Sequence, residues 1–128
     1  MTSNFDFIES EWPQTHADCA RAEGYLTSDP RTACIYARRA AEQLVGLIYD
    51  VDRLPLPYKN DLAARINQAE FRNRVGVGIG QKLNLIRSLG NKAVHDTQPI
   101  PPKAAVDVLR ELHHVVVWTA FRYSTNPA

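Results

Sequence analysis

Three polar residues in the second half of the chain, Arg87, Asn91 and His95, are spaced by four residues. If one helix runs through Gly90, each step of four drifts about 40° around the axis, so the side chains form a stripe about 12 Å long. Arginine can hold a phosphate with two parallel donors, asparagine can orient a backbone or a base, and histidine can transfer a proton near neutral pH. Such a set could cleave RNA without a metal, although a solvated helix face has the same pattern.

The glycine-rich stretch GVGIGQK, from Gly76 to Lys82, precedes this stripe and only superficially suggests a phosphate-binding loop. A P-loop requires Gly-x-x-x-x-Gly-Lys followed by Ser or Thr, and a dinucleotide fingerprint requires a preceding strand. Position 81 is Gln, and no strand pattern precedes it. The stretch from Gly76 to Gly80 is therefore predicted to be a flexible loop that leads into the next long helix.

The remaining titratable residues lack the spacing of a metal site. Asp50 and Asp52 lie two apart at a predicted helix end, where their side chains diverge. No acidic residue is followed two positions later by Lys, as the common metal-dependent nuclease core requires. His113 and His114 point about 100° apart on a helix, and His16 has no partner near it in sequence. The sequence therefore predicts no metal ligand and no cofactor in this domain.

The composition is that of a globular domain, with 45% hydrophobic and 23% charged residues in 128. No segment approaches the roughly 18 consecutive apolar residues of a membrane span, and the acidic start of the chain lacks the pattern of a secretion signal. Cys19 and Cys34 lie in helical patterns outside any Cys-x-x-Cys, so both are predicted to be buried thiols. We expect a cytoplasmic protein with no membrane contact.

The net charge of +1 is unevenly distributed along the chain. Residues 1–30 hold six acidic residues against one basic, residues 31–95 hold eleven basic against five acidic, and residues 96–128 are balanced. The basic middle can attract the phosphates of DNA or RNA, but an acidic first helix packed against it would cancel much of that attraction.

Apolar residues recur at helical spacing throughout, and no stretch alternates with the period of a strand. The predicted fold is all-α, an antiparallel bundle of four main helices with one or two short extra helices. The predicted elements are a first helix from Ile8 or from about Pro13 to Leu26, a second capped by Asp29, short helices at 62–66 and 70–75, a long helix after Gly80, and a last helix from Pro101-Pro102 to Tyr123.

Four segments, in this order, carry a resemblance to a known family: FDFIESEW, YLTSDPRTACIYARRAAEQLV, LIRSLGNKAVHD and a helix ending in VVVWTAFRY. From Phe5 to Tyr123 they strongly resemble a helical domain of unknown function that typically opens the R subunits of type I restriction-modification enzymes. The combination of SDPR, residues 28–31, with LGNKAVH, residues 89–95, is more specific than either piece alone. This resemblance implies a module upstream of an endonuclease core and an ATP-driven DNA translocase, so that ATP and Mg²⁺ belong to the parent enzyme and not to this domain.

That family is in turn similar to the HEPN helical bundles, several of which are metal-independent ribonucleases that act as dimers. Their motif is an Arg, four to six further residues and a His, and in the common form Asn follows the Arg directly. Asn91 and His95 match this motif, but Gly90 stands where the Arg is expected. Arg87 precedes His95 by seven intervening residues, which is outside the usual spacing.

The leading hypothesis is a non-catalytic contact domain of a type I restriction endonuclease R subunit that serves restriction of foreign DNA. It would pair with the other restriction-modification subunits, with DNA or RNA, or with a second copy. The alternative is a HEPN-type ribonuclease dimer in which Arg87 positions the phosphate, Asn91 orients the chain and His95 moves the proton. One HEPN-like domain is predicted over residues 1–124, followed by the start of a linker at 125–128. The predicted contact residues are Arg38, Arg39, Asn84, Arg87, Asn91, Lys92 and His95.

Overall fold

Every regular element is helical in the computed structural model, which describes residues 2–125. In chain order the elements are a 3-10 helix Asp6–Ile8, α1 Pro13–Gly24, α2 Pro30–Val51, α3 Leu62–Asn67, α4 Ala69–His95 and α5 Pro102–Tyr123. Four of these α-helices are long, and no strand occurs within the described range. The predicted all-α bundle is thus confirmed.

Local sequence signals set where three of the long helices begin. Pro13, Pro30 and Pro102 each lie in the first turn of their helix, where a missing N–H costs nothing. The start of α2 is also capped, because Asp29 accepts hydrogen bonds from the Thr32 backbone N at 3.2 Å and from the Thr32 hydroxyl at 2.6 Å. The sequence allowed the first helix to start at Ile8 or at about Pro13, and the structure shows that it begins at Pro13.

Helix α2 is the central element of the bundle, since it packs against α1, α4 and α5. Four of its alanines are completely buried, and these are Ala33, Ala37, Ala40 and Ala41. Small side chains at these positions let the neighbouring helices approach closely, while Leu44 and Ile48 fill the core further along the helix. Helix α4 in turn packs against α2, α3 and α5, so α2 and α4 form the core pair.

The glycine-rich stretch of α4 differs from its prediction. The helix continues from Ala69 to His95, and Gly76 alone has a non-helical backbone, with φ 86° and ψ 167°. The predicted loop at 76–80 was therefore wrong, because one residue without a Cβ suffices to kink the chain. Gly78 and Gly80 are helical, and only Gly80 is buried, so the low helix propensity of glycine does not interrupt α4 at either position.

The C-terminal end of the domain lies against its N-terminal part. Helix α5 ends at Tyr123, as predicted. The Thr125 backbone N and hydroxyl donate to the Glu11 carboxylate at 2.9 and 3.1 Å, so the first residue of the predicted linker is attached to the domain. The rest of that linker, residues 126–128, lies outside the described residues. Between residues 2 and 125, none of the helices combines the length and the apolar character required to cross a membrane.

Candidate functional site

The polar stripe predicted on α4 is present, because the helix is unbroken after Gly76. Arg87 and Asn91 are half-buried, and His95 is exposed at the last turn. The Arg87 Nε donates to the Asn84 side-chain oxygen at 3.2 Å. The His95 ring has no hydrogen bond or ion pair to any residue of the described range. The stripe therefore joins Arg87 to Asn84, places Asn91 one turn further along α4 and leaves His95 at the solvent-exposed end.

Gly90, in the middle of this stripe, is buried at the crossing of α2 and α4. A Cβ added at this position would lie 2.6 Å from the Arg38 Cβ and 2.7 Å from its Cδ. These distances are too short for any real contact, and a Cβ cannot move without its backbone. Gly90 thus sets the spacing of the two helices, and this packing leaves no room for the motif arginine at that position.

Arg38 extends its aliphatic chain over Gly90 and places its guanidinium beside the next turn of α2. There its Nη1 donates to the Glu42 carboxylate at 2.6 Å. Its Nε is buried and has no hydrogen-bond partner among residues 2–125. Leaving a buried donor unpaired costs about 1–3 kcal/mol, so this guanidinium is poorly satisfied in its present position.

The relative direction of α2 and α4 shows which residues face each other. Arg31 contacts the end of α4, whereas Arg38 contacts Gly90, so the two helices run antiparallel. Glu42, one turn after Arg38, therefore lies level with Arg87, which is about one turn before Gly90. Arg87 has no carboxylate within ion-pair distance in the described part of the chain. We call Arg38, Glu42, Asn84, Arg87 and Asn91, which lie along this pair of helices, the α2–α4 polar face.

Arg31 is a second contact between α2 and the stripe that the sequence did not reveal. Its Nη1 donates to the Ala93 carbonyl and, at 2.8 Å, to the Asp96 carbonyl, while its Nη2 donates to the Gln98 carbonyl. The last carbonyls of a helix have no donor within the helix. Here an arginine from another helix donates the hydrogen bonds that the end of α4 would otherwise lack. The two most specific sequence segments, SDPR and LGNKAVH, are therefore joined by this contact.

The predicted contact residues do not all lie on one surface. Arg39 points toward α1, where its Nε is 3.8 Å from the Asp18 carboxylate and its guanidinium lies 5.5 Å from the Tyr36 ring centre. Lys92 is exposed on α4 and has no ion pair within residues 2–125. Arg38 and Arg39 diverge because consecutive residues of a helix are about 100° apart. The surface therefore includes Arg38 and excludes Arg39.

Helix α4 is strongly basic along the part that carries the α2–α4 polar face. Residues 71–95 contain five basic residues and no acidic residue. Lys82 is paired with Glu111, and Arg74 lies 3.3 Å from the Asp52 carboxylate, but Arg72 has no ion pair in the described range. The acidic α1 packs mainly against α2. The expected cancellation of the basic field by α1 is therefore reduced, because α2 separates the two helices.

A cavity of about 540 Å³ between α3 and α4 adjoins the α2–α4 polar face. Its polar lining consists of Asn67, Arg72, Asn73, Gln81 and Asn84. Asn84 is shared with the polar face, and its side-chain N donates to the Asn67 side-chain oxygen at 3.0 Å. The sequence did not reveal this cavity, because its walls depend on the kink at Gly76.

His113 and the two cysteines are held in structural contacts. His113 lies edge-on to the rings of Phe5 and Phe7, at 5.4 and 5.9 Å between ring centres. Burial raises the pKa of the Cys34 thiol to about 11 and that of Cys19 further, so both are poor nucleophiles, as their predicted burial implied.

One group of potential metal ligands lies outside the stripe. The ligand atoms of Asp6, Glu9 and His16 lie within 4.8 Å of one another. His16 Nε2 is 2.8 Å from the Asp6 carboxylate, and both carboxylates are exposed. The sequence analysis missed this group, because Asp6 and Glu9 lie around the 3-10 helix rather than at helical spacing from His16. An exposed group of this kind is equally consistent with an ion pair between His16 and Asp6.

Comparison with known proteins places the chain in a family. Neither curated proteins nor solved structures yield a match. Residues 20–125, which include all of α2 to α5, match the family model described as a domain of unknown function, DUF4145. Because this match covers most of the chain, including both segments joined by Arg31, the protein belongs to the DUF4145 family.

Proposed function

We propose that this domain is a non-catalytic contact module that binds nucleic acid through the α2–α4 polar face. The observation that carries the proposal is the crossing at Gly90, where a glycine packed against Arg38 replaces the arginine that a ribonuclease motif would require. The surface retains basic and amide side chains, which bind phosphates and bases, without the convergence of groups that cleavage requires.

The placement of the alternative catalytic residues supports a contact role. Arg87 and His95 are separated by about 12 Å along the helix axis, and Arg87 is bonded to Asn84. A single phosphodiester cannot contact both residues within one protomer without a large movement of their side chains. Binding without cleavage uses the same residues and does not require them to meet.

We further propose that the module serves restriction of foreign DNA, as the N-terminal helical domain of a type I restriction endonuclease R subunit. This part rests on the resemblance of four sequence segments, above all SDPR and LGNKAVH. The other restriction-modification subunits would be its partners, and the cytoplasm its location. ATP and Mg²⁺ would act in the parent enzyme, outside this domain.

The direct test is fluorescence anisotropy of purified domain with labelled single-stranded DNA, single-stranded RNA and duplex DNA. We expect binding with a dissociation constant near 10⁻⁵ M at physiological salt, a typical order for contacts made mainly to phosphates, and tighter binding at low salt. Arg87→Gln should weaken it severalfold, because a guanidinium that carries no ion pair is lost. Arg122→Gln on α5 removes the same charge elsewhere and should change it little. Absence of binding to all three probes would falsify the proposal.

One observation supports the ribonuclease alternative. Asn91 and the exposed His95 lie on the part of α4 that is continuously helical after Gly76. Incubation of the domain with mixed RNAs in EDTA distinguishes the two functions. Cleavage that survives chelation and disappears in His95→Ala, together with a dimer in solution, would establish the ribonuclease. Intact RNA would leave the contact role.

A further inference from the structure

We infer that Arg38 is the principal phosphate-binding residue of the α2–α4 polar face and that Glu42 occupies it until a phosphodiester takes its place. The inference rests on the proposed function and adds to it a specific residue and a built-in competitor. The ligand is the phosphodiester backbone of a single-stranded nucleic acid.

The first support is that the aliphatic part of Arg38 is fixed by packing, whereas its guanidinium is held only by the Glu42 carboxylate among the described residues. Its Cβ, Cγ and Cδ lie over Gly90, where they fill the space that any other residue at position 90 would need. The guanidinium extends beyond this contact to Glu42, which is about half exposed. An aliphatic chain fixed by packing needs less ordering when its charged end binds a ligand, because only the terminal torsions remain free.

The second support is the incomplete hydrogen bonding of that guanidinium. Glu42 accepts only from Nη1, and Nε is buried without a partner in the described part of the chain. A phosphate oxygen pair is suited to the edge formed by Nε and a terminal nitrogen, because the two N–H groups are parallel. Because Nε is buried, the guanidinium must turn outward when Glu42 releases it, and a phosphodiester then accepts from Nε and a terminal nitrogen together.

The third support is the arrangement of charge around Glu42. Arg38 and Arg87 lie within about one turn of each other on the two antiparallel helices, and Glu42 is the single carboxylate of the polar face. A phosphodiester carries one negative charge, so it can pair with Arg38 in place of the Glu42 carboxylate, and the unpaired guanidinium of Arg87 offsets the charge that it adds. Asn84 and Asn91 flank this position on α4 and can donate to sugar or base oxygens.

The test compares variants that differ at one group, with fluorescein-labelled oligo(dT) as the probe. Glu42→Gln removes the competing charge and should tighten binding about threefold, the size of a surface ion pair. Asp107→Asn is its control, because Asp107 forms the same type of pair with Lys103 on α5 and loses the same charge. Equal effects of the two substitutions would show a general charge effect and overturn the inference.

Arg38→Met supplies the second half of the test, since it keeps the aliphatic chain over Gly90 and removes the guanidinium. Binding should weaken about tenfold, and Glu42→Gln should then have no further effect. Unchanged thermal unfolding checks that the fold is kept. If the Arg38→Met variant binds as tightly as the wild type, this inference alone is overturned. If neither the wild type nor any variant binds, the proposed function is overturned together with the inference.

Discussion

At Gly90 the absence of a side chain sets the distance between α2 and α4. A Cβ at this position would lie 2.6 Å from the Arg38 Cβ, so the side chain of Arg38 packs directly on the Gly90 backbone. Arg31 fixes the same pair of helices two turns nearer the start of α2, through the carbonyls of Ala93 and Asp96. Arg31 and Gly90, one from each of the segments SDPR and LGNKAVH, therefore both hold the central helix pair in register.

Gly90→Ala is expected to destabilise the domain by about 1–3 kcal/mol, because the added methyl group forces the helices apart. Chemical denaturation followed by circular dichroism measures this change. Arg38→Gly removes the opposing Cβ, so the double variant should be more stable than the sum of the two single changes predicts. Strict additivity would mean that the two residues are not in contact.

Single residues also show how far the sequence could predict the site. The Asp29 cap was predictable, because its partner Thr32 is three residues away. Arg31 was not, since its acceptors Ala93 and Asp96 are more than sixty residues away. Arg38 and Arg39 were both predicted as contacts, but only the rotation of α2 in the bundle decides that Arg39 faces Asp18 instead.

At the scale of the element, α4 is two helical segments joined at one residue. Gly76 has φ 86° and ψ 167°, a conformation that is almost restricted to glycine, whereas Gly78 is helical and has open space where a Cβ would lie. The sequence predicted that the helix would be interrupted among these glycines. It could not identify which glycine breaks the helix, because all three have the same intrinsic preference and packing decides between them.

The glycines at 76 and 78 provide a matched pair of substitutions. Gly76→Ala should destabilise the domain by about 1–3 kcal/mol, because alanine is strained at this φ. Gly78→Ala should stabilise it by up to about 1 kcal/mol, because alanine has the higher helix propensity. Urea denaturation of both variants measures the difference. Similar effects of the two changes would place the kink elsewhere in α4.

The Asp29 cap at the start of α2 is expected to make the stability of the domain fall in acid. Hydrogen bonds from the Thr32 side chain and backbone lower the pKa of the Asp29 carboxyl below its usual value. Folding therefore favours the charged form of Asp29. Its contribution to the free energy of unfolding is complete above about pH 5 and is lost as the pH falls through the pKa of the folded state. Asn can cap a helix without titrating. The stability advantage of the wild type over Asp29→Asn should shrink between about pH 5 and pH 3, and a constant difference would exclude this mechanism.

At the scale of the whole molecule, α2 separates two surfaces of opposite character. On its α1 side, Gln43 accepts from Thr15 at 2.7 Å and donates to the buried Asp18 at 2.6 Å, which gives an acidic and amide-rich contact. On its α4 side lies Arg38, about 140° around the helix from Gln43. A net charge of +1 therefore underestimates the attraction that the α4 side can exert on phosphates, because residues 71–95 of α4 contain five basic residues and no acidic residue.

This separation predicts how salt acts on binding to single-stranded nucleic acid. If Arg38, Arg72, Arg87 and Lys92 each neutralise a phosphate, the logarithm of the affinity should fall with the logarithm of salt concentration at a slope near −3, about 0.7 for each contact. The double variant Arg72→Gln, Lys92→Gln should reduce this slope by about 1.4, because two phosphate contacts are lost. The matched double variant Lys103→Gln, Arg110→Gln removes the same charge from α5, where both residues pair with Asp107, and should leave the slope unchanged. Titration at several salt concentrations measures both, and an equal loss of slope would show that nucleic acid responds to the total charge of the domain and not to its α4 side.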